Sequence, residues 1–198
     1  FKIQLIDERL LQTPRLKIPE HLRSWMKTNW GSISNFKKRG FGFCTLHDKQ
    51  IVSWSVADCA SGEACEIGIH TREDYRRQGL ATLTVAAAVD YALSNRFRCV
   101  GWHCDEYNLP SIKTAEKVGF KLERKYIQCY ACSNEAHHLL ETAQTHFRSE
   151  RYRETIETYE KFFATPQEQL PNWLREALPQ ELGVHYFRVA SAKAFVGD

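Results

Sequence analysis

Cys65-Glu-Ile-Gly-Ile-His-Thr-Arg-Glu-Asp-Tyr-Arg-Arg-Gln-Gly-Leu-Ala-Thr82 decides how the rest of the chain is read. A strand runs into a loop, and Arg76-Arg77-Gln78-Gly79-Leu80-Ala81 then opens a helix. A helix start carries N–H groups without intrahelical partners and the positive end of the dipole, so it attracts phosphate oxygens. Gly79 and Ala81 keep side chains off the backbone there, and Arg76 and Arg77 add charge at the rim. Two other phosphate loops are excluded by spacing. The glycines and Lys-Ser/Thr pair of a nucleoside-triphosphate loop are absent, and a dinucleotide-binding turn needs more than one glycine. On chemistry alone the stretch is an anion site at a helix N-terminus. The plain alternative is a basic pair before a glycine that merely caps a helix.

Outward from this stretch, the N-terminal side reads as an antiparallel meander. Phe1 to Asp7 alternates apolar and polar, as a half-buried strand does. Pro19 opens a helix through Glu20, Leu22, Trp25 and Met26, and Gly40-Phe41-Gly42 breaks the pattern. Phe41, Phe43 and Thr45 begin a strand, His47-Asp48-Lys49-Gln50 is a hairpin turn, and Ile51 to Ala57 is the partner strand. Ser61-Gly62-Glu63 turns the chain into the strand Ala64 to Thr71. On the C-terminal side, Gly79 to Asn95 is a helix rich in alanine and leucine. A short strand from Arg98 to His103 follows, then a helix from Pro110 to Val118 between Asn108 and Gly119, and a last strand from Lys121 to Ala131. The sum is an α+β fold, a mixed and mostly antiparallel sheet flanked by helices.

After Ser133 strand signals stop. Ala136 to Ala164 reads as two helices broken near Ser149-Glu150-Arg151, Trp173 to Leu178 as a short helix, and Val184 to Val196 as another. The expected organisation is therefore a mixed domain over 1-132 and an all-helical segment over 133-198. Tyr152, Tyr159 and Phe162 fall where a tetratricopeptide repeat places its large residues, and the segment resembles that repeat, although Ala143 and Thr155 replace its commoner residues. One and a half repeats cannot bury their face alone. A helical extension without repeat ancestry is the alternative.

Composition sets limits on partners. The 198 residues are 43% hydrophobic and 26% charged, with a net charge of +3 spread along the chain, which points to neither a nucleic-acid nor a membrane surface. Gly79 to Leu93 is too short and polar to cross a bilayer. No leader pattern is visible and position 1 is not Met, so the true N-terminus is expected to lie outside this sequence; at the other end, either the chain is cut as well or its helices dock on the first domain. Seven cysteines, several in apolar runs, suit free thiols in a reducing cytosol, so a cytoplasmic location is expected. Cys129-Tyr130-Ala131-Cys132 is a lone pair and no metal site is expected.

Arg76-x-x-Gly79-x-Ala81 resembles the signature of the GNAT superfamily of acyl-CoA-dependent N-acetyltransferases. So do the Asp74-Tyr75 lead-in, the strand Glu66 to Ile69, and Asn108 followed by Ala115-Glu-Lys-Val-Gly119-Phe120. The resemblance covers about residues 1–131. The form Trp102-His-Cys104 with Asn108-x-x-Ser111 is similar to a bacterial branch that includes antibiotic self-protection acetyltransferases. The resemblance implies acetyl-CoA as cofactor and CoA as product. Ile69, His70 and Thr71 would pair with the pantetheine arm. The diphosphate would rest on the turn formed by Arg76, Arg77, Gln78, Gly79, Leu80, Ala81 and Thr82, with Asn108 and Ser111 touching the arm. Glu66 stands where many relatives keep a carboxylate base, and its plain alternative is a solvent-facing strand residue. Ala115 occupies the position where many relatives carry a tyrosine that protonates the departing thiolate, which leaves Tyr107, Cys104 or Ser111, or no acid at all. The implied reaction is acetyl transfer to a primary amine of a small molecule or peptide by direct attack. The alternatives are a non-catalytic acyl-CoA-binding module and a scaffold, either recruiting a protein partner through the C-terminal helices. His70 and His103 are read as packed or solvated rather than catalytic.

Overall fold

The computed structural model describes residues 1–128 and 132–197. Contacts divide the chain into Phe1–Glu123 and Arg124–Asp198.

The first unit is built on a sheet of five strands in chain order: β1 (Lys2–Leu5), β2 (Gly42–His47), β3 (Gln50–Ser61), β4 (Ala64–Thr71) and β5 (Cys99–Gly101). The first four are antiparallel, and β5 joins β4 in parallel. Asp48 and Lys49, between β2 and β3, both adopt left-handed φ (46° and 59°), as a two-residue hairpin turn requires.

The helices α1 (Glu8–Leu11), α2 (Glu20–Trp30) and α3 (Ile33–Arg39) follow β1. The helical stretch expected from Pro19 to Gly40 is thus two helices. Gly31 at φ +73° ends the first, and the Ser32 hydroxyl accepts the Asn35 N–H to start the second. Leu10, Leu22, Met26 and Phe36 from these helices bury against Cys44, Trp54 and Val56 on one face of the sheet. On the other face, α4 (Leu80–Asn95) sets Val85, Ala88 and Ala92 against Ala57, Cys65 and Ile67. Period 2 along β3 and β4 therefore fixes which residues meet α2 and which meet α4. The helix α5 (Leu109–Val118) completes the unit.

Two strand expectations are corrected. Trp102 and His103 leave the ladder, so β5 is shorter than Arg98 to His103. Residues 121–128 form no strand: Leu122 and Ile127 are 79% and 91% exposed. Lys121, Glu123, Arg124 and Lys125 crowd this stretch with charge, so it offers no continuous apolar face to bury against the sheet. Cys129, Tyr130 and Ala131, which hold most of the Cys-x-x-Cys pair and the end of the expected strand, lie outside the described residues. Among the described cysteines, Cys44 and Cys65 are buried free thiols, pushed up to about 12 and about 11 by burial first, while Cys59, Cys99 and Cys104 are exposed. The described cysteines are all free thiols, and Cys132 is half-buried.

The second unit is helical: α6 (Glu135–Arg148), α7 (Tyr152–Phe163) and α8 (Asn172–Val196). Ala136, Leu140 and Ala143 pack with Tyr159, Phe162, Leu170 and Leu174. The two short helices expected after Pro171 are a single helix with Pro179 inside it. Pro179 forfeits one backbone hydrogen bond, but Leu174, His185 and Ala192 on either side of it are buried, and that packing carries the helix through. The aromatic pair Tyr186 and Phe187 is largely exposed.

His185 is 2% exposed, with Nδ1 3.2 Å from the Tyr159 hydroxyl and 3.4 Å from Arg188 Nη1. Burial, then the Arg188 charge, pushes its imidazole below the ordinary value. The unfolded chain therefore takes up this proton before the folded chain does. The contribution of His185 to stability is present above about pH 6.5 and declines as pH falls below it. Urea melts at pH 7.5 and 5.5 are expected to show this loss, and His185→Gln should reduce it. An unchanged difference would clear His185 of the effect.

Candidate active site

The parallel ladder between β4 and β5 is three pairs long, Ala64↔Cys99, Cys65↔Val100 and Glu66↔Gly101. On its other side β4 stays paired with β3 as far as Thr71↔Ser53. From Ile67 to Thr71, one edge of β4 has no strand beside it among the described residues. The Arg72 N–H donates to the Val52 carbonyl (3.0 Å), and the Arg98 N–H donates to the Glu63 carbonyl (2.7 Å). Backbone groups alternate sides along a strand, so Ile67, Ile69 and Thr71 turn theirs to the open edge, and Gly68 and His70 turn theirs to β3. Of the three residues expected to line a pantetheine arm, Ile69 and Thr71 present backbone there. His70 does not, because its main chain belongs to the β3 ladder.

The phosphate turn follows directly. Arg76 Nε donates to the Thr71 carbonyl (3.2 Å) and Nη1 pairs with Glu73 (3.3 Å), while Gln78 Nε2 reaches the Asp74 carbonyl (3.4 Å). Arg76 and Gln78 thus brace the turn, and Arg77 is exposed at φ +60°. Gly79, at φ +77° and ψ 0°, caps α4 without any side-chain cap. A Cβ there meets no atom within 4 Å, so glycine answers the backbone angle and open space lies in front of it. The first bond back into the helix runs from the Leu83 N–H to the Gly79 carbonyl (3.1 Å). The amides of Leu80, Ala81 and Thr82 therefore precede the helical ladder. No acidic residue stands in the first turn, so nothing opposes an anion there. The residues fit a diphosphate.

Glu66, Gly68 and His70 share the face of β4 turned to α2. Glu66 is half-buried; its Oε1 meets His103 Nδ1, and its Oε2 lies 4.0 Å from Cys59 Sγ. The register of β3 slips between Ala57 and Cys59, and the bulge falls on Asp58. Asp58 accepts from the Trp25 indole N–H and, at 3.4 Å, from Asn29. Burial lifts the Asp58 carboxyl above the ordinary carboxylate range, opposed by the Trp25 hydrogen bond and the His103 charge and reinforced by Glu66. His70 stacks on Trp54 (5.7 Å between ring centres) and lies 4.3 Å from His21. Burial and then the His21 charge hold it below the ordinary imidazole value, which suits a packed neutral ring.

Asp58 and His103 were not assigned roles from sequence, yet one signal was legible. A glycine inside a strand marks a close approach. A Cβ at Gly68 meets Asp58 Oδ2 and Trp25 Cζ2 at 2.8 Å each. Gly68→Ala is expected to displace Trp25 and Asp58 and to cost about 1–3 kcal/mol of stability. A chemical melt within error of the parent protein would refute that packing.

Asn108 Oδ1 accepts the Ser111 N–H (3.3 Å) and so caps α5, and Ser111 Oγ accepts from the Trp102 indole (3.0 Å). Both residues are tied into the segment that leaves β5. Ala115 lies on the same helix and offers no acid.

The arrangement is an open strand edge leading into an uncapped helix start, with a carboxylate where the strands part. The chain belongs to the GNAT acetyltransferase family, whose model matches residues 1–130. It is similar to the uncharacterized N-acetyltransferase YdfB of Bacillus subtilis (strain 168), at 34% identity over 102 residues, covering 52% of this chain and 39% of that protein. A GCN5-related N-acetyltransferase-like protein from Streptococcus suis 89/1591 is similar in structure, with TM-score 0.53 and 31% identity, covering 62% of this chain and 47% of that one. The chain spans less than half the length of both.

Proposed function

We propose that this chain transfers an acetyl group from acetyl-CoA to a primary amine of a small molecule or peptide by direct attack, with CoA as the second product. The observation that carries the reading is the ladder that stops at Glu66↔Gly101, which frees the edge of Ile67, Ile69 and Thr71 just ahead of the open helix start at Gly79. In this reading residues 1-132 are the acetyltransferase domain. Ile69 and Thr71 hold the pantetheine arm, with His70 packing beneath them. The amides from Arg77 to Thr82 receive the diphosphate, Arg76 and Gln78 brace that turn, and Asn108 and Ser111 border the arm. Glu66 is the carboxylate on which loss of the amine proton depends. Residues 133-198 are a tetratricopeptide-like extension whose exposed Tyr186 and Phe187 suit a protein partner.

Calorimetric titration with acetyl-CoA and with CoA tests the reading. Micromolar binding, about −8 kcal/mol, is expected, followed by thiol release in the presence of amines. No heat from a folded sample overturns it. Ala115 favours a second reading, a non-catalytic acyl-CoA-binding module, for which binding without thiol release is the expected outcome.

A further inference from the structure

We infer that the proton leaving the acceptor amine is taken by His103 Nε2, and that Glu66 acts as the residue that positions His103; this rests on the acetyl-transfer reading above. Glu66 is the last β4 residue paired with β5, opposite Gly101. Two residues past Gly101 the chain folds back, and His103 Nδ1 meets Glu66 Oε1 across the point where the strands part. A neutral imidazole has one donor and one acceptor nitrogen, and a carboxylate at Nδ1 fixes that nitrogen as the donor. The lone pair is then on Nε2. This is the arrangement of an oriented base, in which a third group sets the tautomer of the imidazole that does the proton transfer.

Exposure agrees with that role. The His103 side chain is 49% exposed and that of Glu66 32%, so Nε2 has a route to solvent while Oε1 is engaged. The titratable groups facing His103 from neighbouring strands are Glu66 on β4 and Asp58 at the β3 bulge. Both are carboxyls, so no cation from these strands competes for the place beside the ring. Imidazole is also a stronger base toward an amine than a carboxylate is.

The step balances. The amine lone pair forms the C–N bond to the thioester carbonyl carbon, the C–S bond breaks, and its electron pair leaves on sulfur. The single proton that the nitrogen gives up goes to Nε2, and His103 hands it on to the thiolate. Amide and free thiol are the products. Return of the proton to sulfur by His103 fills the role that Ala115 leaves open.

The test has two arms. In the first, 15N-labelled histidine is followed by NMR in the unliganded protein and in Glu66→Gln. Neutral His103 is expected to carry its proton on Nδ1 and to lose that preference in the variant. A parent protein with the proton on Nε2 overturns the assignment, because that nitrogen then has no lone pair to offer. In the second arm, thiol release from acetyl-CoA is measured with butylamine as the acceptor probe. His103→Ala, a truncation on an exposed segment, is expected to lower the rate about 100-fold or more at unchanged acetyl-CoA affinity, with partial recovery on adding imidazole. An unchanged rate, or a loss that imidazole does not relieve, overturns the proton-accepting role. A parent protein that binds no acetyl-CoA defeats the acetyl-transfer reading and the base assignment with it. The NMR arm still decides whether Glu66 positions His103.

Discussion

Gly79→Asp is expected to weaken acetyl-CoA binding by about 100-fold or more, from the micromolar range to beyond calorimetric detection. The argument rests on competition for the same amides. Gly79 is the N-cap of α4 at φ +77°, and the helix start has no side-chain cap. Aspartate tolerates left-handed φ better than most residues and is a preferred N-cap, so the variant is expected to fold. Its carboxylate would then accept from the second or third amide of the helix and place a negative charge where the diphosphate must sit. The loss corresponds to about 3 kcal/mol of binding free energy. Gly79→Asn separates charge from bulk, being similar in size, neutral and equally tolerant of the angle. It should retain measurable binding. Equal loss in both variants would assign the effect to blockage of the site, and full affinity in both would remove the turn from the cofactor site.

Glu66→Gln is expected to lower turnover about 10²- to 10⁴-fold while leaving CoA affinity within about twofold. Glutamine keeps the volume and one oxygen at a half-buried position, so packing against Gly101 and His103 is preserved. What it loses is the negative charge that holds His103 Nδ1 as a donor. The effect therefore belongs to the rate and not to CoA binding, whose contacts lie beyond the end of the ladder. A rate equal to that of the parent at every pH would remove Glu66 from the chemistry.

The strand, turn and helix from Cys65 to Thr82 were legible because each is a local matter. Period 2 through Cys65, Ile67 and Ile69 marks a strand with one buried face, and all three residues are turned to α4. Gly79 stands at a left-handed φ of +77°, and the helix begins at the next residue. The hairpin at Asp48 and Lys49 and the caps at Asn108 and Gly119 were equally local. Where the reading failed, the deciding interaction was absent from the local sequence. Lys121 to Gln128 carries the strand-forming residues Leu122, Tyr126 and Ile127, yet these stay exposed and no strand forms there. Pro179 reads as a helix breaker, yet burial of residues on either side keeps one helix intact.

The candidate site divides along the same line. The sequence by itself determined the helix start at Gly79, the strand that leads to it and the carboxylate on that strand, because dihedral preference and periodicity reside in consecutive residues. Only the tertiary structure decided that β4 and β5 part after Glu66, that the backbone of Ile69 and Thr71 rather than His70 faces the open edge, and that His103 returns to Glu66. The same holds for Asp58, which a bulge and the Trp25 indole bring over Gly68 from 10 residues away along the chain. These placements depend on where a ladder ends and which side chain crosses a gap between strands, and such long-range pairings are not written in the spacing of neighbouring residues.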